Sequence, residues 1–467
     1  MLIAIIILIA YCALIWITLE GILFKKKLSY LLYYLLCFLP VYTVTLCLIY
    51  QGTDSKIITQ LIQYSKEIII LIVLVWLFIS RKNYFSFSWK LNPLDAFFGF
   101  FILLCFVYLI APIGEATFIN KAVYFKNILL IVLMYYFGRI SHFEFTEWKK
   151  GLDIIFIITI IAFVAVSIEK FTGYHLHSFI GYPKYHLDFN DTEMRGYYGL
   201  TWTFETEGLQ KRFGSIFADP LDFSASLLIS LSAALICLFS VRYNGNKVKY
   251  TLILLAAILS LLFAYSRASF VAFLLMLFYI GFILKYYKVL AAAAGIVIIF
   301  MLYVIFLAPD ETRFFVEDTL LFQNSSSITH VIEWVKGIDA MIENPTGLGL
   351  ATSGNIRGVE EELRVSGENQ FIIYGVQLGW IGMFTYIIII FLSIFYSYKA
   401  YRFASTKSDQ VIPFIASTVK FGLLLPLMTA NVEAYLYVSL ISWWMVGYSI
   451  NIYHKYKFNS VDGVSNA

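Results

Sequence analysis

The chain has 467 residues, of which 60% are hydrophobic and only 14% charged, with a formal net charge of +4. Soluble domains carry about 25% charged residues, so this composition excludes an ordinary soluble fold and points to a polytopic membrane protein. The basic residues are scattered between apolar runs, with no basic patch interleaved with aromatics, which argues against nucleic-acid binding.

A helix needs about 20 apolar residues to cross a ~30 Å hydrocarbon core. Read in chain order, such runs fall near 2–24, 28–50, 61–80, 94–113, 122–138, 151–170, 215–241, 250–265, 268–284, 289–308, 371–398, 411–430 and 435–453. The expected fold is therefore an all-α polytopic membrane protein of about 13 transmembrane helices (range about 12–14) in a single integral membrane domain. The first run shows no small-residue cleavage site and is followed by Lys25-Lys26-Lys27, so it reads as a retained span.

Lysine and arginine crowd into alternate short loops. Lys25, Lys26 and Lys27, then Arg81, Lys82 and Lys90, then Arg139, Lys149 and Lys150 mark one side; Arg242, Lys247, Lys249, Lys285, Lys288, Lys399, Arg402, Lys407, Lys455 and Lys457 continue it. The intervening loops hold only Lys56, Lys66, Lys121, Lys126 and Arg267. The positive-inside rule then puts the N-terminus outside and the C-terminus in the cytoplasm. Two large loops, 171–213 and 309–370, fall outside. No internal repeat, low-complexity segment or soluble domain is evident.

The five cysteines, Cys12, Cys37, Cys47, Cys105 and Cys237, all sit in apolar runs and read as small buried hydrophobes. They imply no disulfide framework and no metal site. His175, His177 and His186 lack a zinc spacing and read as loop residues. No phosphate-binding loop, dinucleotide fingerprint or hydrolase signature is present.

A few polar residues stand out against the hydrocarbon. Arg267 sits in Tyr265-Ser266-Arg267-Ala268-Ser269, inside an almost unbroken apolar stretch over 250–284. An arginine so placed costs roughly 2.5–3.5 kcal/mol at the bilayer centre and less near an interface. It faces a polar cavity or partner, where its guanidinium suits a phosphate, or it snorkels from a tight hairpin. Arg212, in Lys211-Arg212-Phe213-Gly214, lies where the first large loop re-enters the membrane. Gly214 and Pro220 imply a bent entry. Lys211 and Arg212 can hold a phosphate at headgroup level or be ordinary interfacial cations. Asp219 and Asp222 either pair with them or begin a distorted helix.

The second loop closes with Glu343-Asn344-Pro345-Thr346-Gly347-Leu348-Gly349, Gly367-Glu368-Asn369-Gln370 and Gly379-Trp380-Ile381-Gly382. Glu368 can serve as a general base or bind sugar hydroxyls, or simply complement a helix dipole. Asn369 can brace it or bind the same sugar. His330 precedes Trp334 by one helical turn and shares its face; it is either a sugar or proton ligand or a surface residue. Lys420, inside the twelfth run, is either functional or a side chain reaching the cytoplasmic interface; the second reading is preferred.

Three blocks together resemble the bacterial O-antigen ligase and O-antigen polymerase superfamily. They are Arg212-Phe213-Gly214-Ser215-Ile216-Phe217-Ala218-Asp219-Pro220; Ser266-Arg267-Ala268-Ser269-Phe270; and the set Trp334, Pro345-Thr346-Gly347-Leu348-Gly349, Glu368-Asn369 and Gly379-Trp380-Ile381-Gly382. The resemblance covers roughly residues 200–400. It departs in two places: the family commonly has His-Asn at Glu368-Asn369, and often an arginine at His330. The related polymerases vary more at these places than the ligases, which favours a polymerase.

The resemblance implies a glycosyltransferase of the bacterial cytoplasmic (inner) membrane with its site on the extracytoplasmic face. The donor would be a glycan on a polyprenyl diphosphate, the acceptor a hydroxyl of another lipid-linked oligosaccharide. It implies Glu368, Arg267 and Arg212 as catalytic residues and Lys211, His330, Asn369 and Asp219 as substrate-binding ones. No cofactor or metal is required. Membrane lipid, a chain-length regulator and a flippase are the implied partners. A glycan ligase acting on lipid A core or protein, and a transporter or flippase of lipid-linked sugar, stand as alternatives.

Overall fold

The computed structural model describes residues 2–80, 90–190, 193–206, 209–239, 247–308, 325–354 and 364–462, together with Arg313 and Glu317. Among them every regular element is helical, and the sole β feature is an isolated bridge between Glu205 and Lys211.

The helices follow the apolar runs. α1 (Leu2–Leu23), α2 (Ser29–Thr53), α3 (Lys56–Gln63), α4 (Ser65–Ile79), α5 (Pro93–Ile110), α6 (Phe118–Ile140) and α7 (Phe145–Thr172) make the first half. The first large loop contains α8 (Leu176–Phe179) and α9 (Tyr182–Asn190). The second half is α10 (Pro220–Phe239), α11 (Lys247–Phe263), α12 (Arg267–Phe278, prolonged by a π turn over Tyr279–Ile283) and α13 (Tyr287–Phe306). Then come α14 (Ser325–Glu343), α15 (Gln370–Phe403), α16 (Lys407–Gly422), α17 (Leu424–Thr429) and α18 (Leu436–Asp462).

Every apolar run of the sequence overlaps a helix. Among the described residues nine helices are long and apolar enough to cross a membrane, or up to ten if α3 and α4, bent by 43° at Tyr64, form one span. The apolar helix Arg267–Ile283 is shorter. The chain is thus a membrane-embedded all-helical protein.

The bundle is organised from its centre outward. α10, α16 and much of α2 and α18 are buried on all sides, whereas α1 and α13 bury few of their residues. A helix apolar all round belongs in a core or in lipid, and both cases occur here. α18 packs along α6, and two glycines set their distance. A Cβ on Gly447 would meet the Tyr135 carbonyl oxygen at 2.0 Å, and one on Gly138 would meet that of Trp444 at 2.1 Å. Small residues at such a crossing let two backbones touch inside a membrane.

Several cations used to read the topology prove to have polar partners within the fold. Arg139 Nε lies 2.9 Å from Asp95 Oδ1, both side chains buried, and Asp95 also closes the capping box that starts α5 with Asn92. Lys66 and Lys126 share Glu67 at 3.2 and 3.0 Å. Lys121 donates to the Ile113 carbonyl at 2.6 Å, just past the end of α5.

Candidate functional site

Four helices begin at one end of the bundle: α10, α12, α15 and α18. The bent entry expected around Gly214 is present. Ser215 adopts φ +53°, and its N–H donates to Glu169 Oε2 at 2.8 Å. The chain turns so that α10 starts at Pro220 rather than near 215. Asp219 caps that start, its Oδ1 accepting from the backbone N–H groups of Leu221 (2.8 Å) and Asp222 (2.9 Å). Capping is what a short acidic side chain does best at this position, and proline at the first helical position fits it.

α12 starts alongside. Ser266 is its N-cap, accepting from the Ser269 N–H, and Arg267 is its first residue. Ser269 Oγ lies 2.8 Å from Ser224 Oγ, one turn inside α10. The two N-termini are therefore neighbours, with Arg267 at one and Asp219 and Asp222 at the other. The positive end of α10 is taken by the Asp219 carboxylate, and that of α12, where Arg267 sits, is the more favourable setting for an anion.

α15 is capped by Asn369, whose Oδ1 accepts from Phe371 N (3.0 Å) and Ile372 N (3.2 Å). Glu368 immediately precedes this cap. His330, from α14, brings Nδ1 to 2.5 Å from Glu368 Oε2, both side chains partly exposed. The two are charge-paired when the imidazole holds its second proton; their angles fall outside those of an aligned hydrogen bond.

The glycine-rich stretch before α15 is a half-buried loop that docks on a broken helix. Inside α15, Gly379 takes φ +72° and ψ −174°, interrupting the helical path. Leu348 N donates to Val376 O (2.7 Å), Gly349 N to Gln377 O (3.0 Å), and Trp380 N to Pro345 O (3.2 Å). The Gln377 side chain receives the Ala351 N–H (2.9 Å) and donates to Ser353 O (2.9 Å). Tyr108 donates to the Thr346 carbonyl. Farther on, Val365 N bonds Thr352 O and Gly354 N bonds Ser366 O, so the chain leading to Glu368 lies on this loop. Pro345-Thr346-Gly347-Leu348-Gly349 acts through its backbone, as scaffold for Glu368.

Two residues at this end went unnoticed in the sequence. Glu433 lies in a 3-10 turn (Val432–Ala434) between α17 and α18 and is buried. Its carboxylate accepts from Tyr386 Oη and Ser439 Oγ and from Trp443 Nε1 at 3.0 and 3.1 Å. Its N–H donates to Gln370 Oε1 at 3.1 Å, tying this turn to the start of α15. Tyr435 follows, within electrostatic reach of Asp219, Asp222, Arg212 and Glu368. The available signal was that Glu433 is the one acid between Asp409 and Asp462.

Tyr435 thus lies within electrostatic range of Glu368, Arg212 and Asp219, with His330 against Glu368 and Arg267 on the helix beside Asp219. The fold turns Lys211 elsewhere: its ammonium donates to the Gly173 carbonyl at 2.5 Å and lies 4.7 Å from the centre of the Tyr198 ring. Lys420 does not reach the cytoplasmic interface. It stands near the end of α16, is buried to 2% exposure, and places Nζ 3.4 Å from the centre of the Trp443 ring. The expected interfacial position fails because α16 starts at Lys407, leaving Lys420 thirteen residues, about 20 Å, along the helix from that end.

The three loop histidines are also interior. His175 and His177 pack on Phe204 with ring centres 5.6 and 4.7 Å away, and His186 on Tyr182 at 4.0 Å. Burial pushes His175 and His177 down to about 4. Among the described residues no group of three or more His, Cys, Asp or Glu side chains is placed to hold a metal ion.

Residues 251–387, which include Arg267, His330, Glu368 and Asn369, match the family model of the O-antigen ligase domain. This match covers 137 of the 467 residues and supports a relationship to the O-antigen ligase/polymerase superfamily. No curated protein matches the chain significantly. The O-antigen ligase match begins in α11 and ends in α15, so it spans the α12 start, α14, the docked loop and the Gly379 break. The Arg212 entry and the Glu433–Tyr435 turn lie outside the matched segment and complete the same end of the bundle. Similarity to that domain suggests a membrane glycosyltransferase-like activity on lipid-linked oligosaccharides.

Proposed function

We propose that this chain is a polysaccharide repeat-unit polymerase of the bacterial cytoplasmic membrane, with thirteen crossings, its N-terminus outside and its site on the extracytoplasmic face. The donor is a glycan on a polyprenyl diphosphate and the acceptor a hydroxyl of a second lipid-linked oligosaccharide. The observation that carries this reading is the 2.5 Å approach of His330 to Glu368 beside the neighbouring N-termini of α10 and α12.

The acceptor oxygen forms its bond to the anomeric carbon as the bond from that carbon to the diphosphate oxygen breaks. The electron pair leaves on the diphosphate. Glu368 takes the hydroxyl proton as general base, and His330 steadies its carboxylate and can pass the proton on. Arg267 and Arg212, with the N-terminus of α12, stabilise the charge that builds on the leaving group. An imidazole common to the family at position 368 is thus supplied here from position 330, beside the carboxylate. Asp219 and Asn369 serve this site by starting α10 and α15, and Lys211 by fixing the loop that presents Arg212.

A ligase that moves the glycan to lipid A core or protein is the second reading, favoured by the matched family's description as an O-antigen ligase. Purified protein in vesicles with lipid-linked repeat units tests both. Polymer formation is expected, with a loss of about 10²-fold or more in Glu368→Gln and Arg267→Ala. Full polymer formation by both variants overturns the mechanism. Transfer only to an added core acceptor favours the ligase, and lipid movement across the vesicle without transfer favours a transporter.

A further inference from the structure

α14 carries three distinct faces. At about 100° per residue, His330, Trp334, Gly337 and Met341 fall on one side. This side packs on α15, where Met341, Ile372 and Val376 form a small buried cluster joined by Trp334. Glu333, Lys336 and Glu343 fall on a second side. The third side is an apolar stripe at positions 328, 331, 332, 335, 338 and 342, the i, i+3, i+4, i+7 spacing of a single helical face. Ile328, Val331, Ile332, Val335, Ile338 and Ile342 are each between 40% and 62% exposed. Asp339 stands where the stripe meets the polar side. A water-facing helix does not carry six β-branched residues on its solvent side, and a spanning helix does not carry a charged face.

We infer that α14 lies in the plane of the membrane, its isoleucine and valine stripe set among the lipid acyl chains of the leaflet on the site side, and its charged side toward water. Three observations select lipid as the occupant. The protein is membrane-embedded and α15, on which α14 rests, carries exposed apolar residues of its own such as Ile381 and Phe384, so the stripe continues a lipid-facing surface. The polar side offers one lysine against two glutamates, which suits water rather than an acidic protein or anionic headgroups. The stripe is free of the aromatic anchors that a specific protein partner would use, and its one polar residue is Asp339. An amphipathic helix of this kind buries its apolar side about 5–10 Å into the headgroup–acyl boundary. Because His330 leaves α14 from the side facing α15, the depth of the helix in the leaflet sets the approach of His330 to Glu368. This positional claim rests on the membrane embedding alone and not on the polymerase reading.

The test uses the full chain in neutral phosphatidylcholine vesicles. With the five native cysteines replaced, single nitroxide labels are placed at Val331, Val335, Ile338 and Ile342, and at Glu333, Lys336 and Glu343. The stripe positions are expected to collide with oxygen several-fold more than with an aqueous nickel chelate, and the polar positions to show the reverse. Nickel access at the stripe overturns the inference in favour of a helix held in water. Exclusion of both reagents overturns it in favour of cover by protein, a second copy included. The unsubstituted protein provides an independent measurement: lipids carrying a diazirine on the acyl chain should label Val331, Ile332 and Val335 in preference to Glu333 and Lys336. Equal labelling of the two sides, or none on α14, overturns it as well. Activity enters neither readout, so a failed polymerase assay leaves this result standing.

Discussion

Gly347 and Gly379 meet backbone to backbone: a Cβ on Gly347 would lie 2.5 Å from the Gly379 nitrogen, and one on Gly379 would lie 2.3 Å from the Pro345 carbonyl oxygen. Both glycines have positive φ. The conformation of Gly379, φ +72° with ψ −174°, belongs almost to glycine alone. Gly379→Ala should therefore cost about 3 kcal/mol, combining strain with the clash. Gly295, in α13 with nothing near its missing Cβ, is the control: Gly295→Ala should be neutral or gain up to about 1 kcal/mol. Thermal unfolding of the detergent-solubilised protein reads both, and equal melting temperatures would refute the docked-loop account.

This contact also marks where sequence reading stops. The apolar runs were legible because a spanning helix must be apolar along its whole length, and each run overlaps a helix. The Gly379 break was not, since Gly379-Trp380 reads as a motif but only the Pro345–Gly349 backbone explains it. Arg267 was legible as a cation beside an apolar run, and it is the first residue of α12. The roles of Asp219 and Asn369 as caps depend on where α10 and α15 start, which composition alone does not decide. Glu433 stayed hidden because a two-to-five-residue connection between apolar runs looks like a plain turn. The three side chains that donate to its carboxylate, Tyr386, Ser439 and Trp443, come from two helices, α15 and α18.

Asn369 separates a cap from a sugar ligand. Asn369→Asp keeps the oxygen that accepts from Phe371 and Ile372 N–H, whereas Asn369→Ala removes it and should cost about 1 kcal/mol. If capping is the residue's whole task, Asn369→Asp retains polymer formation and melting temperature, and Asn369→Ala lowers both. Lost transfer with an unchanged melting temperature in Asn369→Asp would assign the amide to substrate instead.

The 171–213 loop should loosen in acid. His175 and His177 are held near 4 by burial, below the ordinary value of about 6.5. In that interval the unfolded loop binds more protons than the folded one. The stability they contribute is complete above about 6.5 and is lost as pH falls toward 4. Protease cleavage of the loop on intact vesicles should rise across this window. His175, packed against the Phe204 and Phe213 rings, has no hydrogen-bond partner for either nitrogen, so His175→Phe should flatten the acid response and leave neutral-pH stability unchanged or improved. An unaltered pH profile in that variant would show that other groups govern the loop.

Lys420, Trp443 and Glu433 should behave as one unit. The ammonium rests on the indole face, and the indole N–H donates to the carboxylate. Removing one charge strands the other in a buried site, which typically costs about 3–5 kcal/mol. Lys420→Met and Glu433→Gln should each destabilise the protein, and the double variant should lose markedly less than the sum. Trp443→Phe keeps an aromatic face for Lys420 but deletes the donor to Glu433, so it should cost about 1.5–3 kcal/mol. Gln370, two residues from Glu368, accepts from the Glu433 backbone N–H, which Glu433→Gln retains, so this tie to the start of α15 should survive while stability falls. Unfolding free energies that simply add across the pair would sever Lys420 from Glu433. They would return the lysine to the transport alternative, in which a membrane-buried cation meets the cargo rather than a tryptophan.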